Sequence, residues 1–269
     1  MRHSLLPLLL IPLLWNCTTD EPSASSTAEV VVPQAPEWVS LFNGEDLDGW
    51  QVKFTGQELG VNYLDTFRVR DGALCVDYSN WEGFAGEFGH IFFDGDFCNY
   101  RVRFEYRFTG DQVPGGPGWA YRNNGIMLHG QRPDTMLVDQ EFPVSIEVQL
   151  LGGDGTNERS TLNLCTPGTN VVMNDELKLQ HCINSDSETY HGDQWVKAEV
   201  EVRGSESIRH FIDGQLVMSY SAPQLDERDQ EALPFIVDGQ KLLSHGTLSF
   251  QAESHPCEFK NIEILVLEE

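Results

Sequence analysis

Two carboxylate side chains far apart in the chain follow the same local pattern. In the run 144–150, apolar and polar residues alternate, which places Glu147 and Gln149 together on one side of a predicted strand. Near the C-terminus, Gln251 and Glu253 alternate in the same way. Two such strands side by side would form a pocket with two carboxyl groups, and a carboxyl group whose pKa is raised by burial can act as a general base or acid. The alternative for both pairs is a solvated strand face.

The run 123–129 precedes this strand and supplies further polar groups. Gly125 allows close approach of the backbone, and Arg122 and His129 are candidates to contact a substrate. A lone strand histidine is as consistent with a structural role. Asn124 can bind a hydroxyl group, or it can be a turn residue that tolerates left-handed geometry before a glycine.

Short alternating segments dominate the rest of the chain. The clearest is 100–108, and hairpins are predicted around Asp71-Gly72 and Asp213-Gly214, whose residue types suit tight turns. About a dozen short strands separated by turn residues, without a sustained 3.6-residue period, predict an all-β fold. We expect a two-sheet antiparallel sandwich that forms one domain over residues 37–269.

Composition excludes one class of partner. The chain has 269 residues, 42 acidic against 17 Lys and Arg residues, and a formal net charge of −25. No basic patch remains to neutralise phosphates, so nucleic acid is not an expected partner.

The N-terminus is typical of an export signal. Positive charge is followed by an apolar run at 5–15, which is too short to span a bilayer, and Cys17 follows it as in a bacterial lipoprotein signal. We expect residues 1–17 to be a signal peptide with a lipobox-like end, Cys17 to be lipidated, and 18–36 to be a flexible tether. A plain cleaved signal is the alternative. The protein is then exported, to the periplasm or anchored to the outer membrane, and a lipid anchor would be its membrane contact.

Export puts five further cysteines in an oxidising compartment. Cys165 and Cys182 bracket a loop rich in turn residues, and we expect them to form a disulfide. The pairing of Cys75, Cys98 and Cys257 is left open, and an odd number requires one unpaired thiol or a bond between chains. No zinc-type or EF-hand spacing occurs, and no cofactor is assigned. The acidic composition leaves a divalent cation such as Ca²⁺ open.

Several segments together resemble one known family. They are Trp38-Val39-Ser40-Leu41-Phe42-Asn43-Gly44, Leu47-Asp48-Gly49-Trp50, Phe67-Arg68-Val69-Arg70-Asp71-Gly72, Asn123-Asn124-Gly125-Ile126, Glu147-Val148-Gln149-Leu150-Leu151, Gln194-Trp195, Gly246-Thr247-Leu248-Ser249-Phe250-Gln251 and Phe259-Lys260-Asn261-Ile262. In order and spacing they resemble the bacterial 3-keto-disaccharide hydrolase domain family. The resemblance covers roughly residues 37–267.

The resemblance implies a concanavalin A-like or LamG-like jelly roll that acts on a small oxidised saccharide. Characterised members act on 3-keto-glycosides, as a 1,2-lyase or as a hydratase of 3-keto-2-hydroxyglucal. The keto group acidifies the hydrogen on C2, so a base can remove it and the C1 substituent can leave by elimination. Such a site needs a base, a donor for the enolate oxygen, and an acid or water for the leaving group.

On this reading, roles follow for the candidate residues. The catalytic candidates are Glu147, Glu253, His129 and Lys260, and the substrate-binding candidates are Arg122, Asn124, Gln149, Gln251, His255 and Trp119. Trp119 lies in a glycine-rich loop and could stack on a sugar ring or pack in the core. Two departures matter: many members have His-Gly at the position of Glu253-Ser254, and many have Arg at Lys260. Lys260 is also consistent with a surface cation, and His255 with a loop position.

Two other functions stay open at this point. A non-catalytic lectin on the same sandwich would bind glycans without turnover. A conventional glycosidase would cleave unoxidised disaccharides with its two carboxyl groups.

Overall fold

The computed structural model describes residues 37–268. The predicted signal peptide with Cys17 and the predicted tether lie outside these residues. Apart from four single-turn 3-10 helices, the described residues form strands and loops. No helix among them is long and apolar enough to cross a membrane.

Seventeen strands make up the fold. They are β1 (Val39–Ser40), β2 (Trp50–Phe54), β3 (Phe67–Arg70), β4 (Ala73–Val76), β5 (Gly89–Phe97), β6 (Asn99–Phe108), β7 (Asn123–Gly130), β8 (Ile146–Leu151), β9 (Asn163–Cys165), β10 (Thr169–Met173), β11 (Glu176–Lys178), β12 (Cys182–Ile183), β13 (Val196–Arg203), β14 (Ser207–Ile212), β15 (Gln215–Leu225), β16 (Gly246–Ala252) and β17 (Cys257–Val266). Both predicted hairpins are present, and Asp71, Gly72, Asp213 and Gly214 have positive φ angles.

The strands form two antiparallel sheets. One sheet has ten strands in the order β11-β10-β15-β14-β13-β6-β17-β4-β3, with β1 paired to β17. The other has seven strands in the order β12-β9-β8-β7-β16-β5-β2. The predicted all-β two-sheet sandwich is therefore confirmed.

A continuous apolar core lies between the sheets. In β6, every second residue from Tyr100 to Phe108 is buried and packs inward. Phe250 of the seven-stranded sheet contacts Phe259 and Phe104 of the other sheet, with ring centroids 4.4 and 5.3 Å away. Ile146, Val148 and Leu150 of β8 belong to the same core. The polar residues between them must therefore lie on the face of the seven-stranded sheet that points away from the core, which we call the distal face.

A long connection covers part of the distal face. The segment 131–145 joins β7 to β8, and its Val138 carbonyl accepts hydrogen bonds from Lys53 Nζ and the Gly56 amide at 2.9 and 2.8 Å. The ring of Phe142 packs against Phe88 and His90, with centroid distances of 4.9 and 5.9 Å. This connection shields the distal face of β2 and β5 from water.

Candidate functional site

The strand register brings polar residues of four strands into one row on the distal face. Gln149 of β8 pairs with Gly125 of β7, and Gln251 of β16 follows one step beyond the pair Phe250–Ile126. On its other side, Gln251 pairs with His90 of β5. Because cross-strand partners point to the same face, these side chains share one surface.

Gly125 leaves a hollow in this row. A Cβ atom at position 125 would lie 2.6 Å from Gln251 Oε1 and 2.7 Å from Glu147 Oε1, closer than atoms can pack. Both side chains therefore fill the space above this residue. The missing side chain of a glycine is what lets a carboxyl group and an amide converge on the middle of the sheet.

A second buried carboxyl group, that of Glu253, lies near enough to Glu147 for the two to interact electrostatically. Glu253 follows directly after β16, and the two carboxyl groups are 2 % and 7 % exposed. Burial raises the pKa of Glu253 to about 8. Burial, and then the charge of Glu253, raise the pKa of Glu147 well above its ordinary value. Two close carboxyl groups in a dry site cannot both ionise readily, so the pair retains a proton near neutral pH.

The same face carries an unusual number of unpaired polar atoms. Buried polar groups normally have hydrogen-bond partners, so each exception points to a specific cause. Six buried side-chain atoms on or beside this face have no such partner among the described residues, namely Gln251 Oε1 and Nε2, Glu253 Oε2, His90 Nε2, Ser249 Oγ and Asn123 Oδ1. Five neighbouring side chains with unused hydrogen-bonding capacity are what a site for a polar ligand requires.

The predicted disulfide is confirmed, and it adjoins this site. Cys165 and Cys182 are bonded and join β9 to β12. Cys165 pairs directly with Glu147 across β8 and β9, so the disulfide borders the base candidate. Cys75 and Cys257 have buried free thiols on the other sheet.

A polar groove continues from the site toward the sheet edge. It encloses about 660 Å³ and is lined by Leu151, Glu158, Arg159, Ser160, Asn184, Ser185, Ser187, Glu188 and Thr189. Leu151 lies on the same side of β8 as Gln149 and Glu147, and Ser160 Oγ is 2.8 Å from Asn163 Oδ1, whose amide nitrogen donates to Gln149 at 3.2 Å. The groove is thus connected to Gln149 through Ser160 and Asn163, whereas the two carboxyl groups are nearly closed to solvent and do not line it.

His129 does not join the site. Strict alternation would put it on the distal face, but β7 contains one extra residue between its pairs with Ser249 and Thr247. This bulge, at which His129 has φ 47°, turns the imidazole so that Nε2 lies 3.0 Å from the Gly204 carbonyl oxygen at the end of β13. His129 is thus turned away from the carboxyl pair, and its predicted catalytic role has no support from this contact.

Lys260 is also placed elsewhere. It lies on the outer face of the ten-stranded sheet, where Nζ is 3.5 Å from Glu105 Oε2 and 4.1 Å from the centre of the Trp195 ring. The chain crosses from one sheet to the other between β16 and β17, so closeness in sequence to Glu253 does not give closeness in space. This position agrees with the alternative given for Lys260, a surface cation outside the site.

Two further substrate-binding candidates, Asn124 and His255, are buried within the fold. Asn124 donates from Nδ2 to the Gln251 carbonyl and accepts from the Gly125 amide, both at 2.8 Å, so its side chain is satisfied within the sheet. His255 is fully buried between the rings of Phe108 and Tyr121, and burial lowers its pKa to about 4. Asn124 therefore has no free group for a substrate. Both ring nitrogens of His255 lack a hydrogen-bond partner among the described residues, so a substrate-binding role for His255 stays a prediction.

Arg122 and Trp119 lie near the end of β7. The guanidinium of Arg122 donates to the Gly192 carbonyl at 2.7 Å and to Asp193 at 2.9 Å, while its Nε has no partner among the described residues. Trp119 is 54 % exposed, and its ring stacks on Phe88 directly before β5. A sugar-stacking role for Trp119 stays a prediction that its exposed ring permits.

The sequence pattern missed His90 and Ser249. The run around His90 in β5 combines glycine with consecutive apolar residues and shows no clean alternation, so it did not stand out as a strand with a polar face. Ser249 lies two residues before Gln251 on the strand that was predicted, and extending the same alternation by one step would have found it.

Nothing in the described residues forms a metal centre, since no group of three or more His, Cys, Asp or Glu side chains is placed to hold an ion. The donors that converge are two carboxyl groups and one amide. Their arrangement can transfer protons and bind hydroxyl or carbonyl oxygens.

An antiparallel sandwich with an acid–base pair on one sheet face belongs with the carbohydrate-active β-sandwich proteins. The chain is a member of the family described as the 3-keto-alpha-glucoside-1,2-lyase-like domain, which it matches over residues 37–265. The predicted family is confirmed.

Solved structures show the same fold. Two candidate glycosyl hydrolases from Parabacteroides distasonis ATCC 8503 are 17 % and 12 % identical, each with a TM-score of 0.52 over 86 % of this chain and 94 % and 100 % of theirs. A Bacillus subtilis protein of unknown function with a galectin-like fold is 9 % identical, with a TM-score of 0.50 over 86 % of this chain and 94 % of its own. At this identity the likeness shows the fold alone. No curated protein sequence matches the chain.

Proposed function

We propose that the protein is an exported enzyme that eliminates the C1 substituent of 3-keto-glycosides, hydrates the resulting 3-keto-2-hydroxyglucal, or does both. The observation that carries the proposal is the convergence of Glu147 and Gln251 above Gly125, with Glu253 near enough for its charge to raise the pKa of Glu147. Family membership supports the substrate class. The disulfide is compatible with an oxidising compartment outside the cytoplasm.

The carboxyl pair can supply both proton transfers. The elimination uses the form of the pair that holds one proton, in which one carboxylate and one carboxylic acid are present together. We assign the base to Glu147, because it overhangs the hollow and is the more exposed of the two. It removes the hydrogen on C2, and the electron pair of that bond passes into the C3 carbonyl as an enolate.

Glu253 completes the elimination as the acid. When the enolate collapses, the C3 carbonyl reforms, a double bond forms between C1 and C2, and the C1–O bond breaks. The departing oxygen takes the proton of Glu253. Hydration reverses these roles, since water adds its oxygen to C1 and a proton returns to C2. The sum of both reactions is hydrolysis.

Gln251 provides the binding contacts of this mechanism. Its amide offers one acceptor and two donors, and both polar atoms are buried without a protein partner. A sugar carries donors and acceptors on adjacent carbons, so a side-chain amide can bind two of its oxygens. Gln149 lies next in the row and keeps its amide nitrogen for a further contact, while its oxygen accepts from Asn163.

The test is turnover of 3-keto-glucosides, with and without a chelator. Free aglycone and the absorbance of 3-keto-2-hydroxyglucal are followed separately. Glu147→Gln and Glu253→Gln keep the side-chain shape but remove the acid–base function, so each is expected to lower kcat by about 10²–10⁴-fold. Binding of the substrate should persist in both variants.

Glu258→Gln serves as the matched control. Glu258 is similarly buried, at 8 %, but it is bound by Arg70 and Arg107 on the other sheet. It is expected to keep wild-type kcat even if stability falls. Glycan binding without turnover would favour a lectin, and cleavage of unoxidised disaccharides at comparable rates would favour a conventional glycosidase. Either result contradicts the proposal.

A further inference from the structure

His90 extends the row of polar side chains beyond Gln251, and the proposed mechanism has not yet used it. It pairs with Gln251 on one side and with Lys53 on the other, so the three side chains share the distal face. It is 1 % exposed, and its Nε2 has no hydrogen-bond partner among the described residues. An unsatisfied ring nitrogen buried in a polar row is costly unless a ligand uses it.

Lys53 places a fixed positive charge behind His90. Its Nζ donates to the carbonyls of Phe54, Gln57 and Val138 at 2.8, 2.9 and 2.9 Å, which accounts for all three donors. Lys53 therefore cannot turn to a ligand, and it acts on the row only through its charge. Burial and this charge lower the pKa of His90 to about 3, so the imidazole is neutral.

We propose that His90 is a catalytic residue whose ring N–H donates a hydrogen bond to the keto oxygen of the substrate, with Lys53 as the positioned charge that favours the enolate. The inference rests on the proposed function and assigns the donor that the elimination requires. His129 and Arg122 are not in this row, since His129 Nε2 lies against the Gly204 carbonyl and the guanidinium of Arg122 is bound to Gly192 and Asp193.

The spacing of the sheet agrees with this assignment. Two strand spacings, or about 9.6 Å, separate β7, where Glu147 overhangs Gly125, from β5, which carries His90. A base reaches C2 over about 3 Å, C2 and the keto oxygen are about 2.4 Å apart, and a hydrogen bond adds about 2.9 Å. These three lengths reach about 8.3 Å. A pyranose ring over Gln251 contacts both groups when the Glu147 and His90 side chains lean toward each other by the remaining distance of about 1 Å.

The surroundings suit a donor to developing negative charge. Phe142 packs edge-on against the His90 ring, and Phe92 lies along the same strand, so water is excluded from this side. In such a site, a preorganised donor stabilises an oxyanion more than it does in water. A neutral imidazole can fill this role without giving up its proton.

The experiment compares His90→Leu and His90→Gln with the wild-type protein on a 3-keto-glucoside. Leucine removes the donor, so kcat is expected to fall by about 10²–10³-fold with KM within a few-fold. Glutamine places an amide nitrogen near the position of Nε2, so it should restore at least tenfold of that loss. Exchange of the C2 hydrogen in D₂O, which reports enolate formation, should slow in parallel with kcat.

His210→Gln is the matched control. His210 is another buried histidine with a lowered pKa, but it lies in the ten-stranded sheet, and its ring nitrogens are hydrogen-bonded to the Leu162 carbonyl and the Tyr220 hydroxyl. It should keep wild-type kcat and C2 exchange while its Tm falls. Unchanged kcat and exchange in folded His90→Leu would overturn this inference alone. Absence of turnover by the wild-type protein would overturn both proposals.

Discussion

At the residue scale, the fold buries two carboxyl groups, Glu147 and Glu253, that would be more stable as ions in water. An ionised carboxylate is strongly favoured in water, so the fold raises the pKa of Glu147 and of Glu253 by excluding water from both. Among residues 37–268, no cation forms an ion pair with either group, whereas Arg70 and Arg107 both pair with Glu258. Burying an acidic group without a partner lowers the stability of the fold. Sites that contain such groups are commonly catalytic.

This cost gives a pH dependence with a defined sign. Because the pKa of Glu253 is about 8 in the folded chain and ordinarily 4.5, the folded state keeps a proton that the unfolded state releases. The stabilisation that the protonated Glu253 gives to the folded state is complete below pH 4.5 and is lost as pH rises through about 8. Glu253→Gln should therefore unfold at a higher temperature than the wild-type protein at pH 9, with little difference at pH 4.

The difference at pH 9 should exceed about 1.4 kcal/mol, the value of one pKa unit. Thermal unfolding at the two pH values measures it. The buried histidines act in the opposite direction, since a lowered pKa destabilises the fold as pH falls below 6.5 toward about 4. Parallel pH profiles for the wild-type protein and the variant would show that Glu253 is not buried as described.

At the element scale, two local features of β7 decide which side chains meet. Gly125 opens the hollow for Glu147 and Gln251, and the bulge near His129 turns that imidazole out of the row. A β7 strand without the bulge and with a larger residue at position 125 would still alternate polar and apolar residues. It would not let the Glu147 and Gln251 side chains meet.

Gly125→Ala isolates this effect. Its backbone does not need a positive φ, and the added Cβ meets only the ends of two flexible side chains. The strand should therefore persist, with the unfolding free energy changed by no more than about 1 kcal/mol, while kcat falls by about 10²-fold because the carboxylate is displaced. Circular dichroism and the keto-glucoside assay measure the two effects.

Gly118→Ala is a suitable comparison, since a Cβ there meets no atom within 4 Å. It should keep both stability and activity. If Gly125→Ala kept full activity, the hollow above Gly125 would not be where catalysis occurs.

At the scale of the whole molecule, charge is distributed unevenly. The chain carries a net charge of −25, yet the outer face of the ten-stranded sheet pairs its acids with arginines, as in Arg103–Glu263 and Arg107–Glu258. The partly exposed pairs among them, such as Arg103–Glu263, contribute little. Repulsion among the remaining acids is the larger electrostatic effect on stability.

Salt should therefore stabilise the protein. Raising NaCl from about 10 mM to 0.3 M shortens the screening length from about 30 Å to below 10 Å, so Tm is expected to rise by several degrees and then level off. KCl at equal ionic strength should act alike, because screening depends on charge alone. A fall in Tm with salt would mean that attractive pairs outweigh the repulsion.

The sequence by itself determined the sandwich, the hairpins, the disulfide and the family, because these depend on local alternation, turn residues and short motifs. It also identified Glu147, Gln149, Gln251 and Glu253, since each repeats a period of two. Tertiary structure alone decided that two distant strands flank β7, that Lys260 belongs to the other sheet, and that His90 faces the site. Sheet order and a single inserted residue are set by packing across the whole core, and no local pattern encodes them.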